Sequence, residues 1–319
     1  MARVLRADDE GIRVAVAALN HGELIGLPTE TVYGLAADAT NDAALRNVFA
    51  VKGRPEHHPL ILHIAHPDDL AALAEHVPPY ASDLARRVWP GPLTLIVRAN
   101  AQVSRLVTGG RDTVAVRCPS HPVAHHVIAA LGRPVAAPSA NRFGHVSPTS
   151  AQHVVDDLGD DIDVVLDGGA CEVGVESTIV DCTGEVLEVL RPGAVTLEQL
   201  RDVLDRVELD SVTPERAGSA ANPRVADGTS GESRASGMLA SHYAPRARLI
   251  LHEVGEPFEA GSTPVLDFSG DEVTSARLLY VHLRDLDARH VAVAHVILPP
   301  AIGMGVALRD RLTKAAAGR

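Results

Sequence analysis

Four segments of this chain bring together residue types that could do chemistry. The first is Pro28-Thr29-Glu30-Thr31-Val32-Tyr33-Gly34, directly after a run that reads as a strand. Two hydroxyls, a phenol and a glycine at a strand-to-loop junction suit a small polar ligand; they equally make an ordinary hydroxyl-rich turn. The second is Lys52-Gly53-Arg54-Pro55, after a helical pattern. Lysine as a compact point charge and arginine as a planar fork can converge on phosphate oxygens. Alone, the pair reads as two solvent-facing cations. The third, Ala137 to Gly144, places Ser139 and Asn141 two apart after a very short strand. Short polar side chains with free backbone N–H groups in such a turn make an anion nest. The fourth is Glu176-Ser177-Thr178-Ile179-Val180-Asp181, with Arg191-Pro192-Gly193 further on. Arg191, closing a β-hairpin, is a candidate phosphate or base contact.

Other nucleotide and metal signatures are missing. There is no P-loop, and Gly303-Met304-Gly305 lacks the third glycine of a dinucleotide fingerprint. No H-E-x-x-H occurs, and His121 and His125, four apart on one helical pattern, are too few for a zinc site. They read as surface or capping histidines. Asp156, Asp157, Asp160, Asp161 and Asp163 read as a solvated helix end rather than a cation site. No protein-held metal is expected.

Composition narrows the classes. With 46% hydrophobic and 22% charged residues, the 319-residue chain is a packed globular protein of one large or two smaller domains. Three cysteines without a C-x-x-C pair point to a reducing compartment. A formal charge of −12 argues against duplex nucleic acid as the main ligand, while one local basic pocket for a small anion remains compatible. Only Lys52 and Lys314 among the 29 basic residues are lysines. A lysine kept among arginines suits a mobile charge against phosphate. The amino terminus lacks an apolar h-region, and the apolar stretch from Val291 to Leu308 is interrupted by prolines and glycines. A soluble cytoplasmic protein is expected.

These segments need elements to position them. Helical patterns cover Asp8–Asn20, Asn41–Val51 with Asn41 as cap, Asp68–Val77, Tyr80–Val88, Pro122–Leu131 and Thr149–Leu158, the last started by Thr149 or Ser147. Another helix opens at Thr196. Strands are expected at Glu23–Leu27, Leu60–Ala65, Leu93–Arg98, Thr113–Arg117, Val135–Ala137, Val164–Leu166, Ser177–Asp181 and Val186–Leu190. Such alternation implies an α/β sheet. Residues 208–237 are rich in Ser, Ala, Gly and Pro and read as a linker. Strands resume at Arg248–His252, Val265–Phe268, Leu278–Leu283 and Val291–Leu298, followed by a helix over Gly303–Ala317.

In their order and spacing, the motifs resemble the YrdC/Sua5 family, the L-threonylcarbamoyladenylate synthases. The resemblance rests on PTETVYGL (Pro28–Leu35), KGRPEHHPLILHI (Lys52–Ile64), WPGPLTL (Trp89–Leu95), TVAVRCP (Thr113–Pro119), APSAN (Ala137–Asn141) and ESTIVD with RPG. SGMLASHYAP (Ser236–Pro245) resembles the family's lid, and Gly303–Leu308 with Asp310-Arg311-Leu312 resembles the end of the Sua5-specific domain. The resemblance implies a YrdC-like twisted open mixed sheet with helices over residues 1–207. It further implies a linker and lid over 208–245 and a small Rossmann-like α/β domain over 246–319. It implies a nucleotidyltransferase that converts L-threonine, bicarbonate or CO2, and ATP to L-threonylcarbamoyl-AMP, pyrophosphate and water. This is the first step toward N6-threonylcarbamoyladenosine at position 37 of tRNA.

Carried over residue by residue, the K-x-R and S-x-N signatures fall on Lys52, Arg54, Ser139 and Asn141, the catalytic set. ATP contacts fall on Arg54, His58, Thr113, Ser139, Ser147, Arg191 and Tyr243; many members carry Asn where this chain has His58. Threonine contacts fall on Thr31, His63, Arg117, Ala137 and Ser177. Mg2+ would arrive on the ATP phosphates, without an organic cofactor. Downstream threonylcarbamoyl-transfer proteins would be partners, with direct tRNA binding weak or absent and no membrane partner. The alternative is an RNA-binding YrdC-fold module without adenylation activity. The net charge and an aromatic content of 3% oppose it. A YrdC-containing carbamoyltransferase maturation protein would need zinc-finger cysteines that three scattered cysteines do not supply.

Overall fold

The computed structural model describes residues 2–185, 187–211, 224–225, 237 and 242–318. The larger part holds strands β1 (Arg3–Arg6), β2 (Ile25–Leu27), β3 (Gly34–Asp38), β4 (Ile61–His63), β5 (Ala74–His76), β6 (Leu93–Ala99), β7 (Thr113–Arg117), β8 (Val135–Ala136), β9 (Val164–Asp167), β10 (Thr178–Asp181), β11 (Glu188–Arg191) and β12 (Arg224–Val225). Its helices are α1 (Asp9–Asn20), α2 (Asp42–Lys52), α3 (Leu70–Leu73), α4 (Pro79–Val88), α5 (Arg105–Thr108), α6 (Pro122–Leu131), α7 (Ala151–Leu158) and α8 (Leu197–Ser211). The smaller part runs β13 (Arg248–His252), β14 (Val265–Asp267), α9 (Glu272–Ala288), β15 (Val293–Ile297) and α10 (Gly305–Ala316).

The first twelve strands form one mixed sheet in the order β1-β9-β2-β3-β8-β4-β7-β6-β10-β11-β12, with β5 paired to β6. Its centre is a reversal. β3 and β8 run antiparallel to each other, and β8 is antiparallel to β4, which pairs parallel with β7. The turn after β2, the start of β4 and the loop after β8 therefore share one end of the sheet, while Arg117, at the end of β7, pairs beside His63 at the end of β4. The smaller part is a three-stranded parallel sheet, β13-β15-β14, with α9 and α10.

Alternation along β4 shows how the sheet divides its faces. Leu62 and Ile64 enter the main core with Leu45, Val48 and Trp89. Ile61 and His63 face the opposite side. A third cluster packs α1 and α6 on Ile25, Leu27, Val164 and Leu166. One further cluster joins the two parts: Val32, Val146, Val175 and Ala194 pack with Leu279, Tyr280, Leu283, Leu308 and Leu312. Arg284 of α9 reinforces this contact. It donates to the Asp157 carboxylate at 2.7 Å and to the Val146 carbonyl at 2.6 Å.

Several expectations need correction. Leu278–Leu283 is not a strand but the middle of α9. Asp271 caps that helix by accepting from the Thr274 amide at 2.8 Å. Ala276, Leu279, Tyr280, Leu283 and Leu286 are buried at helical spacing. Strand alternation would instead have buried Val281, which is exposed. Asp68–Val77 breaks into a short 3-10 turn, the single-turn α3 and strand β5, because β6 offers Ala74 and His76 a ladder. β1, β3 and α5 lie where no element was expected. β3, Gly-Leu-Ala-Ala-Asp, carries little strand signal, yet its neighbours on both sides bury every residue of it. Ser150, not Thr149 or Ser147, caps α7. The expected linker starts later than read, since α8 runs to Ser211, and Arg224–Val225 extends the sheet beside β11. The rest of the linker reading, like most of the lid, falls outside the described residues.

Helix α2 delivers Lys52 and Arg54. Asn41 Oδ1 accepts from the Ala43 and Ala44 amides at 3.0 and 3.2 Å. At the other end Gly53 takes φ 64°, a left-handed cap that turns the chain toward Arg54. Asn41→Ala is expected to cost about 1 kcal/mol and Asn41→Asp much less. Denaturant midpoints at unchanged m-value measure this; equal stability of all three proteins would contradict the capping account.

Candidate functional site

One cavity gathers the chemistry. It is bounded by Thr29, Thr31 and Val32 after β2, Ile61 and His63 of β4, Arg117 of β7, and Ala137 to Ser139 after β8. Arg54, Glu176, Ser177, Arg191, Gly237, His242 and Tyr243 close the remaining walls.

Its hydroxyl-rich corner is folded locally. Thr29 Oγ1 donates to the Val32 carbonyl at 2.6 Å and lies 3.0 Å from Thr31 Oγ1. Arg117 ends β7 against this turn. Its Nη1 donates to Thr31 Oγ1 at 2.8 Å, and Nη2 sits 2.8 Å from Glu30 Oε1. Burial pushes the Glu30 carboxyl up, but the Arg117 guanidinium outweighs it and holds the group below its ordinary range. Beside it, burial and the Arg117 charge drive His63 down to about 3, so its ring is neutral.

The cationic side is built on backbone carbonyls. Arg54 Nη2 donates to the Pro59 carbonyl at 2.9 Å, and its guanidinium lies 5.8 Å from the centre of the Phe143 ring. Burial brings Arg54 down to about 10. Arg191 Nη2 donates to the Ser177 carbonyl at 2.8 Å and to Ser177 Oγ at 3.2 Å. Ser177 Oγ is in turn 2.7 Å from Thr94 Oγ1. Three arginines thus border one cavity, a field suited to anions.

The remaining walls come from the chain after residue 236. Tyr243 is fully buried with φ 62°. A Cβ on Gly237 would stand 2.4 Å from the Tyr243 hydroxyl, so only glycine fits there. Burial drives the His242 imidazole down to about 3, so it too is neutral.

Of the expected site residues, Arg54, Ser139, Arg191, Tyr243, Thr31, His63, Arg117, Ala137 and Ser177 line this cavity. Five do not. Lys52, only 3% exposed, lies behind the S-x-N loop. Its Nζ donates to the Ser139 carbonyl and, at 2.6 Å, to the Asn141 carbonyl. Burial, then the Arg54 charge, lowers its pKa well below the usual lysine value. Asn141 bridges the same loop, its Nδ2 donating to the Arg142 and His145 carbonyls at 2.7 and 2.9 Å. Ser147 donates to Glu176 Oε1 at 2.7 Å. His58 packs edge-on against Phe143, with ring centres 5.5 Å apart. Thr113 begins β7 opposite Arg98, four residues from Arg117. That is about 13 Å along an extended strand.

Residues the sequence reading left without a role are Thr29, Glu30, Glu176, His242 and Gly237. Glu30 and Glu176 stood inside the recognised segments; an acid among anion-binding residues was itself the available signal. His121 caps α6 by accepting from the Val123 amide at 3.3 Å, and His125 packs on His66. The cavity carboxylate Glu176 is engaged by Arg311 and Tyr280, and Glu30, behind Arg117, by that arginine. A cation brought by a phosphate ligand would therefore find its oxygen ligands on the phosphates and water.

Residues 17–193 match the Sua5–YciO–YrdC family, described as "Telomere recombination". Residues 195–317 match the family described as "Threonylcarbamoyl-AMP synthase, C-terminal domain". A threonylcarbamoyl-AMP synthase of Pyrococcus abyssi is 37% identical, covering 98% of this chain and 96% of that one. One of Bacillus subtilis is also 37% identical, covering 99% and 95%. The crystal structure of P. abyssi Sua5 with L-threonine superposes with a TM-score of 0.87 at 36% identity, covering 99% and 97%.

Lys52→Met should free both loop carbonyls, at a cost of about 1.5–3 kcal/mol for lost charge-assisted bonds. Amide hydrogen exchange over residues 138–143 should speed up accordingly. Unchanged exchange with lost activity would place Lys52 on the substrate instead of the loop.

Proposed function

This chain belongs to the Sua5/YrdC family, with the C-terminal domain of its threonylcarbamoyl-AMP synthases, and from that premise we propose how the cavity performs the synthesis. The enzyme is a nucleotidyltransferase acting on threonine and ATP. In our reading bicarbonate or CO2 supplies the carbonyl. The neutral threonine amine captures it as a carbamate, with loss of water when bicarbonate is the donor and of a proton when CO2 is. The carbamate oxygen then attacks the α-phosphorus of ATP as pyrophosphate leaves, giving threonylcarbamoyl-AMP.

The carbamate is already anionic, so the second step needs no strong base. The difficulty is holding two anions together, and the three cavity arginines support this reading. Arg117 would take the threonine carboxylate. Its five N–H protons exceed its three present partners, Thr31, Glu30 and Gly91. Thr31, Ser177 and the neutral His63 would read the hydroxyl and amine; readers left unpaired by an analogue lacking the hydroxyl would reject it. Arg54 and Arg191 would face the phosphates, preorganised by their carbonyl partners. Lys52 and Asn141 would act through the loop that carries Ser139. Mg2+ would enter as the ATP complex and supply charge neutralisation on the phosphates. Tyr243 and His242 would shield the labile mixed anhydride from water.

The product would pass to proteins that transfer the threonylcarbamoyl group to tRNA. No described helix is long and apolar enough to cross a membrane. Three buried free cysteines fit a cytoplasmic setting.

The single observation carrying this reading is the cavity in which Arg54, Arg117 and Arg191 converge with the hydroxyls of Thr29, Thr31 and Ser177. Incubation of the pure protein with MgATP, bicarbonate and labelled threonine should yield pyrophosphate and threonylcarbamoyl-AMP in equal amounts. Absence of either product would reject the reading. Arg117→Lys keeps charge but loses the fork, and should raise the threonine KM about tenfold with a smaller effect on the ATP KM. A selective rise in the ATP constant would move Arg117 to the nucleotide side.

A further inference from the structure

A carboxylate in the wall of an anion-binding cavity needs an account. Glu176 lines the same cavity as Arg54, Arg117 and Arg191, where its charge would repel a polyphosphate and a carboxylate alike. Its oxygens are engaged mainly by residues of the C-terminal part. Tyr280 of α9 donates to Oε1 and Oε2 at 2.9 and 2.7 Å, and Nε of Arg311 on α10 donates to Oε2 at 2.8 Å. Ser147 donates the remaining bond, at 2.7 Å. Arg311 is 0% exposed. A charge so deeply buried persists only with a partner.

Helix α10 also seats the chain that closes the cavity. The Arg311 guanidinium lies 5.3 Å from the centre of the Tyr243 ring, and that ring lies 5.7 Å from Tyr280. One turn on, Lys314 Nζ donates to the Gly237 carbonyl at 2.8 Å, and the Lys314 carbonyl accepts from the His242 amide at 3.4 Å. Asp310 pairs with both Arg311 and Lys314.

We propose that Arg311, from the C-terminal domain, is a positioning residue for adenylation: it neutralises Glu176 so that the cavity accepts anions, and it supports Tyr243 at the cavity wall. The inference rests on the cavity being the adenylation site. The domain appended to the catalytic sheet then completes the site's charge balance. The groups facing Glu176 are Arg311 and Tyr280 from the C-terminal domain, Ser147 and Arg191 from the catalytic part, and Tyr243 and His242 from the closing segment. Burial pushes the Glu176 carboxyl up, but Arg311 first, then Arg191 and the hydrogen bonds, bring it down to about 2. With Arg311 present the carboxylate is therefore charged, and compensated, throughout the working pH range.

The test uses the full chain in the pyrophosphate assay, with ATP and threonine as probes. Arg311→Met should raise the ATP KM about tenfold at pH 8, with a smaller change in kcat. The ratio of variant to wild-type ATP KM should fall as pH drops toward 6, because Glu176, deprived of its main cation, takes up a proton and stops repelling phosphate. Adding Glu176→Gln should bring that ratio back to within about threefold of wild type and abolish its pH dependence, since no unpaired buried charge remains. Tyr280→Phe keeps volume and should raise the ATP KM by about threefold, which secures a result if Arg311→Met fails to fold. A folded Arg311→Met with a flat, unchanged ATP KM overturns the proposal. So does a loss that Glu176→Gln does not relieve, or a Tyr280→Phe protein with wild-type constants. A wild-type protein that makes no pyrophosphate would refute the adenylation reading itself, separately from the role of Arg311.

Discussion

Burying cations around a single cavity is the constraint on which the rest of this structure depends. Lys52, Arg54, Arg117, Arg191 and Arg311 are all buried. A buried guanidinium or ammonium is costly unless its protons find acceptors. Each acceptor found here fastens a loop or turn. Lys52 fastens the loop after β8, Arg54 the turn before β4, Arg117 the turn after β2, and Arg191 the start of β10. The requirement to hold anions and the requirement to order the loops are met by the same bonds.

The carbonyl partners matter for chemistry as much as for order. A carbonyl satisfies an arginine proton without cancelling its charge, whereas a carboxylate cancels it. Arg54 and Arg191 donate to carbonyls, bonds that leave their charge in place. Arg117 and Arg311 face carboxylates. One of those pairs lies in the turn after β2 and the other beside Tyr243. The histidines lining the cavity, His63 and His242, are neutral through burial beside these cations, so they add hydrogen-bonding capacity without charge.

The shared core explains why the C-terminal part belongs to the site. Tyr280 and Leu283 pack with Val146 and Val175 in one apolar cluster, and Arg284 closes its edge on Asp157. An arginine buried at such an interface is held in one geometry by its neighbours. That fixes Glu176 and Tyr243 relative to the catalytic sheet.

Much of this was legible in the chain alone. β7 begins and ends where alternation placed it, β13 coincides with Arg248–His252, and the Asn41 cap is in place. Nine of the residues singled out by motif line one cavity. These are local signals: turn chemistry, capping and periodicity act over a few residues, and the motifs are contiguous. What the sequence could not decide is which way a named side chain points and what it meets at long range. Lys52 belongs to a phosphate-type motif, yet its ammonium turns to carbonyls 87 and 89 residues away. Ser147 looked like a helix start and instead donates to a carboxylate 29 residues on. Leu278–Leu283 reads as a strand until the packing of α9 selects the helical face. Glu176 meets Arg311 across 135 residues. The sequence by itself determined nine of the residues that line the site and the family of chemistry. Only the tertiary structure decided how its charges are paired, because that pairing follows from which buried groups the sheet order and the docking of the last helix bring within hydrogen-bonding distance.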